Sequence, residues 1–432
     1  MSSDEWGFDT VQVHAGASPD RGTNARATPI FATSSFVYES AEQAAASFLL
    51  DSLEGYAYTR MSNPTTAVAE QRIARLEGGV SAVATASGQA ATALALLNVL
   101  RTGDHIVASA QVYGGTTNLL VQRFAELGIG ITLVPVGDLD AWRAAIRPST
   151  RAFFTESIGN PTGVVADLEA IAAVAHEEAR VPLFVDNTLA SPYLLRPLEH
   201  GADVVVHSTT KFLSGHGTVI GGVVVDGASF DFGAEPERWP GFHTPDVGHG
   251  EGGYWDRFSD RRLAYSLRLR TTVLRDYGPA ASPFNSFLLI QGLETLSLRM
   301  RQHVANAEAI AAYLQGHAQV ERVHHPTLPD APTAALAAKY LPRGGGAIVS
   351  FDIAGGLEAG RRFVDAVQLF SHLANIGDVR SLIIHPASTT NSGQPEEQRT
   401  AGGIGPGLIR LSVGIEDPND LITDLGRAFA AV

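Results

Sequence analysis

The sequence predicts an α/β fold: a large, mostly parallel sheet domain followed by a smaller C-terminal α+β domain. Three observations predict it. Between about residues 66 and 225, short apolar runs rich in Val, Ile and Ala alternate with helical patterns, as expected for strands buried on both faces. The alternation breaks over 226–281, which is rich in Gly, Pro, His and aromatic residues. A long helical stretch, 282–317, then leads into mixed strands and helices.

Residues 1–65 are polar and irregular, an arm or an interface segment more naturally than a domain. Thr66–Leu76 has the spacing of an amphipathic helix. Strands are then expected at Ala82–Ser87, Asp104–Ser109, Ile129–Val136, Arg151–Glu156, Pro182–Val185, Asp203–His207 and Ile220–Val225. Helices are expected between them at Ala90–Leu100, Thr116–Leu127, Leu139–Ile146 and Asp167–Ala179. A structureless insertion over 226–281 would be unusual, so a helix is expected near Ser259–Leu274. Ser282–His317 reads as one bridging helical stretch. Residues 282–432 form the second unit, with strands near Ala347–Ile353, Ser381–His385 and Leu408–Ile415 and helices near Leu357–Val367 and Pro418–Phe429.

Composition removes several function classes. There is no cysteine, which excludes disulfides, thiolate metal sites and a Cys nucleophile. Acidic residues outnumber basic ones by 45 to 31, a poor match to nucleic acid. The uncharged stretch Gly78–Leu100 is long enough to span a bilayer, but Ser81, Thr85, Ser87, Gln89 and Asn98 within it favour a buried strand, turn and helix. Met1–Gly16 has no signal-peptide core, so a cytoplasmic protein with no membrane partner is expected. The histidines lack ligand spacing, and no metal is expected.

Ligands of open parallel sheets bind beyond the carboxyl ends of the strands, so the residues at those ends carry most information. Ser87-Gly88-Gln89-Ala90 follows the first strand and opens a helix, either a phosphate site or a tight turn. Asp186 ends another strand, as a helix cap, a metal ligand or the partner of a buried cation. Only two of the 31 basic residues are lysines, so amine chemistry has two candidates. Lys339 sits in a surface-helix pattern, whereas Lys211 stands at a strand end among hydroxyls, before a glycine-rich turn. A lysine in a low-dielectric site can serve as nucleophile or base. Phosphate, ring cation and aldehyde would together occupy these three stations, and pyridoxal 5′-phosphate has all three. Tyr113, followed by Gly114-Gly115, is placed to stack on a ring.

The stretch Asp203–Gly217, with Lys211 in Ser208-Thr209-Thr210-Lys211, resembles the lysine signature of the Cys/Met-metabolism group of pyridoxal-phosphate enzymes. The likeness continues through Tyr58–Thr65, Ser87–Ala90, Val112–Thr116, Glu156–Gly163 and Val185–Thr188. It implies the aspartate-aminotransferase-like fold, fold type I. It also implies that Lys211 holds the cofactor and shuttles protons, that Asp186 pairs with the ring nitrogen, and that Tyr113 stacks on the ring. Gly88, Gln89, Ser208 and Thr210 would bind the phosphate, and Tyr58 and Arg60 would reach the phosphate of a neighbouring subunit. Arg410 would bind the substrate carboxylate, and Asn160 and Ser381 would help to place ring and substrate. A shared site implies a homo-oligomer, in this family usually a tetramer built as a dimer of dimers.

Within the family, Gly377–Thr390, the 226–281 insertion and Ser282–Asn285 leading into Gln291–Leu296 resemble the sulfhydrylase branch. Lyases and synthases usually have Glu where this chain has Arg380, and methionine γ-lyases tend to have Cys at Gly115. The branch implies γ-replacement, O-acetylhomoserine and sulfide (or another thiol) giving homocysteine and acetate. The alternative within the family is a cystathionine γ-synthase or a cystathionine or methionine γ-lyase.

Overall fold

The structure is a computed structural model that describes residues 5–393, 395–401 and 403–432. Seven strands form the larger sheet: β1 (Ser81–Thr85), β2 (His105–Ser109), β3 (Gly130–Val134), β4 (Thr150–Glu156), β5 (Leu183–Asp186), β6 (Val204–Ser208) and β7 (Gly222–Asp226). Their order is β1-β7-β6-β5-β4-β2-β3. All five residues of β2 and of β7 are buried, as their unbroken apolar runs require.

The sheet is parallel from β3 to β6, but β7 runs antiparallel to both β6 and β1. A parallel return needs a crossover, usually a helix. Residues 209–214 form turns instead and 215–221 run without helix or strand, with Gly215 (φ +73°) and Gly217 (φ +64°) in the left-handed region, so the chain returns with no crossover helix. Lys211 lies in this return.

The uncharged stretch Gly78–Leu100 resolves into β1, a turn and the helix Gly88–Leu97, whose N-terminus is capped by Ser87 Oγ accepting from the Ala90 N–H at 3.1 Å. Among the described residues no helix is long and apolar enough to cross a membrane. The expected bridging stretch is two helices, Pro283–Leu293 and Leu296–Gln315, because Thr295 leaves helical geometry (φ −119°, ψ 12°). Arg299, just past the break, donates to the carbonyls of Phe212 and Gly292 at 2.7 Å, which ties the bridge to the Lys211 return.

The insertion is more ordered than its composition suggests. It contains Pro240–His243, Tyr254–Phe258 and Ala264–Arg268, the last inside the expected helix. Phe232 and Phe242 stack at 4.2 Å between ring centres, and both stack against Tyr265. Its aromatic residues thus extend the core of the large sheet. The arm also contains helices, Phe8–His14 and Ala41–Phe48. The first docks through Gln12, whose amide donates to Ser297 Oγ at 2.9 Å.

The smaller sheet holds β8 (Val320–His324), β9 (Ile348–Ile353), β10 (Ser371–His372), β11 (Leu382–Ile384) and β12 (Leu408–Ser412), in the order β10-β11-β12-β9-β8. Val349, Phe351, Phe363, Ile409, Leu411, Leu425 and Phe429 form its core, separate from that of the large sheet. β8 and β10 carry weak apolar patterns, and periodicity did not announce them.

Candidate active site

The ends of β1, β4, β5 and β6 and the loop after β2 open into one cavity of about 320 Å³. Ser87, Gly88 and Gln89 line it from the first helix turn, and Tyr113 from the loop after β2. Glu156 and Asn160 reach it from the end of β4, Asp186 and Thr188 from β5, and Ser208, Thr210 and Lys211 from β6. Asn375, Ile376 and Arg410 close it from the smaller sheet. A Cβ at Gly88 would stand 2.6 Å from Ser208 Cβ, so the bare glycine lets the helix N-terminus approach the Ser208 strand end.

The Lys211 amine donates to Asn375 Oδ1. Burial first and the Arg410 cation second lower its pKa from 10.5 to about 8, against a smaller opposing pull from Asp186. Arg410 stands on β12, where Nη2 donates to the Asn375 carbonyl at 3.1 Å and Nη1 to Asn160 Oδ1 at 3.4 Å. Its Nε is buried with no partner. Burial pulls its pKa down to about 10, which leaves a cation at neutral pH.

Two carboxyls share the opposite wall, the buried Glu156 and the half-buried Asp186, register partners on β4 and β5. Burial raises both pKa values. Hydrogen bonds from Thr188 and the nearby Lys211 amine pull Asp186 back toward its ionised form. Glu156 rises well above the carboxylate range through burial and the facing Asp186. Its Oε1 accepts the Tyr113 N–H at 2.5 Å, while its Oε2 is buried and unpartnered. Tyr113 itself is 53 % exposed, with its ring free to cover a flat ligand.

Nine of the residues named from sequence therefore meet at one place: Gly88, Gln89, Tyr113, Asn160, Asp186, Ser208, Thr210, Lys211 and Arg410. Tyr58 and Arg60 do not line this cavity; they lie on the arm, with the Arg60 guanidinium 4.9 Å over the Tyr58 ring. Ser381 is a correction. It is wholly buried, its hydroxyl donating to Glu416 Oε2 at 2.9 Å and accepting the Gly414 N–H at 2.8 Å, so its side chain braces the β11–β12 region and does not face the cavity. Lys339 pairs with Glu169 at 2.7 Å on a surface helix.

Sequence reasoning missed Glu156, Thr188 and Asn375 as members of the wall. The strand-end rule covers the first two, since they end β4 and follow β5. Asn375 had no such signal, because its place depends on how the smaller sheet packs against the larger.

The chain is 47% identical over 427 residues to the O-acetyl-L-homoserine sulfhydrylase of Leptospira meyeri, covering 97% of this chain and 96% of that one. It is 45% identical over 435 residues to the O-acetyl-L-homoserine sulfhydrylase of Corynebacterium glutamicum, covering 100% and 98%. A crystal structure of a putative O-acetylhomoserine (thiol)-lyase from Campylobacter jejuni superposes with a TM-score of 0.93 at 38% identity, covering 98% of this chain and 100% of that one; that protein carries a pyridoxyl-lysine monophosphate. The family model for Cys/Met metabolism PLP-dependent enzymes matches residues 9–430. With that match, and a cavity that joins an amine, two carboxyl groups and a helix N-terminus, the chain belongs to the Cys/Met metabolism PLP-dependent enzymes.

Proposed function

We propose that this protein catalyses γ-replacement: O-acetyl-L-homoserine and sulfide give L-homocysteine and acetate. The observation that carries the reading is identity of 45–47% with sulfhydrylases over nearly the whole chain. In the reaction the Cγ–O bond breaks and a C–S bond forms, with no net oxidation.

The cavity fits pyridoxal phosphate on its own geometry. Glu156 Oε2 and Arg410 Nε are buried beside it without a protein partner, and the bare glycine at 88 lets the helix N-terminus close up against Ser208 at its edge. Lys211 would hold the aldehyde carbon, and Asp186 the ring nitrogen. Tyr113 would cover the ring. The N-terminal turn at Gly88 and Gln89, with Ser208 and Thr210, would hold the phosphate. Bound there, pyridoxal phosphate supplies an electron sink for charge that develops on the substrate carbons. Lys211 takes the proton from the substrate α-carbon, moves protons at the β-carbon, and returns a proton at the end. Its lowered pKa makes it an effective base near neutrality. Arg410 grips the substrate carboxylate with two parallel N–H groups. Asn160 and Asn375, both bonded to Arg410, set its angle.

The arm supports an oligomeric site. Val37, Phe48 and Leu53 are exposed along it beside Tyr58, as expected of a surface that a second copy covers. Tyr58 and Arg60 would then serve a neighbour's phosphate in a tetramer built as a dimer of dimers. The two cores support a division into an arm (1–65), a cofactor-binding unit (66–281) and a C-terminal unit (282–432).

The test is to incubate the protein with pyridoxal phosphate and O-acetylhomoserine, with and without sulfide, and to quantify homocysteine. Sulfide-dependent homocysteine is expected. Release of 2-oxobutyrate, or cystathionine formed only when cysteine is added, would overturn the reading and move the protein to a lyase or synthase branch.

A further inference from the structure

Glu156 is a buried ionisable group at the cavity wall that the proposed mechanism does not use. It is 4 % exposed, and its strand partner is Asp186. Two carboxylates facing each other in a low-dielectric site cannot both ionise readily. The surroundings decide which one keeps the proton. Asp186 Oδ1 accepts the Thr188 N–H at 2.9 Å, and the nearby Lys211 amine also favours its ionised form. Glu156 has the Tyr113 N–H on Oε1, and burial and the Asp186 charge opposite outweigh the pull of the Tyr113 and Asn160 main chains toward its ionised form. The proton therefore belongs on Glu156. Its Oε1 is already engaged by Tyr113, so the free Oε2 is the atom that would carry the hydrogen.

We propose that Glu156 works as a neutral carboxylic acid and as a positioning residue, holding the Tyr113 main chain through one oxygen and offering a hydrogen from the other to the cofactor in the cavity. Asp186 is then the one charged carboxylate facing the ring nitrogen. Both contacts bear on the same ligand. Tyr113 is the ring that covers it, and a shift of its main chain would tilt that cover. The proposal rests on the cofactor assignment and not on the identity of the acyl donor.

A neutral acid and a neutral amide have nearly the same shape and the same donor–acceptor pair. Glu156→Gln should therefore conserve what Glu156→Ala destroys. Full-length variants are loaded with pyridoxal phosphate, and cofactor affinity, the visible circular dichroism of the bound ring and its pH titration are measured. Glu156→Gln is expected to stay within about threefold of the parent affinity, with unchanged dichroism and titration. Glu156→Ala is expected to bind about tenfold more weakly or worse, with altered dichroism. Infrared difference spectra of the parent minus Glu156→Gln, loaded and cofactor-free, should show a protonated-carboxyl C=O band at neutral pH. Absence of that band, or a loss in Glu156→Gln as large as in Glu156→Ala, overturns the proposal. Failure of the parent protein itself to bind pyridoxal phosphate would instead overturn the cofactor assignment, because the infrared band is read without it.

Discussion

The Lys211 amine should titrate about two and a half pH units below an ordinary lysine, and the shift is large enough to measure directly. With a pKa of about 8, roughly a tenth of the cofactor-free protein carries a neutral amine at pH 7; at 10.5 the fraction is about one in three thousand. The ratio, roughly 300-fold, is a prediction about rate, because only the neutral amine attacks an aldehyde. Capture of pyridoxal phosphate by the cofactor-free protein, followed by stopped-flow absorbance, should rise about tenfold per pH unit up to about pH 8 and then level. Burial is the first cause of the shift and the Arg410 cation the second. Arg410→Gln should therefore move the break upward, by about one pH unit for a single nearby charge. Lys211→Ala should abolish the capture phase. The same shift has a stability consequence. The unfolded chain binds more protons than the folded one between pH 8 and 10.5, so the cofactor-free protein should gain stability as pH rises through that window. A break near pH 10 in the parent, or an unmoved break in Arg410→Gln, would refute the reasoning.

Three further outcomes are expected. Lys211→Ala should lose at least about 10²–10⁴-fold in turnover, since it removes the acid–base group as well as the attachment point, and an assay of homocysteine formation would detect residual activity. Gly88→Ala should weaken cofactor binding and lower the melting temperature, an overpacking penalty of about 1–3 kcal/mol. Adding Ser208→Gly should relieve it only in part, because the new Cβ would still lie 2.8 Å from the Cα at 208. Finally, Arg60→Ala and Lys211→Ala, each poorly active alone, should regain activity when unfolded together and refolded as mixed oligomers; no recovery, despite mixed oligomers seen by native mass spectrometry, would remove Arg60 from a neighbour's site.

What could be read along the chain is what local chemistry encodes. Lys211, Asp186, Thr188 and Gly88 each lie within a few residues of a strand end. Apolar runs locate strands, and in a parallel sheet the ends that follow them point to a common crevice. The roles of Arg410 and the arm came from family likeness, and neither periodicity nor spacing pointed to them.

Other features depend on packing between distant segments. Arg410 reaches Lys211 only because β12 lies centrally in the smaller sheet and its side chain faces across the junction. Asn375 meets the same amine from a loop after β10, with no local pattern to mark it. Ser381 shows the converse: sequence likeness selected it, but its hydroxyl is consumed by Glu416 and Gly414 inside the smaller unit. The antiparallel β7 followed from a return without a helix, and the break at Thr295 from a single residue's backbone angles. The protonation of Glu156 belongs here too, since it depends on which carboxyl the neighbouring cations and N–H groups favour. Sequence by itself therefore determined the fold class, the strand-end residues and the amine, because each is set within a few residues of chain. Tertiary structure alone decided which charges face one another, because electrostatic partners are chosen by packing across hundreds of residues of sequence.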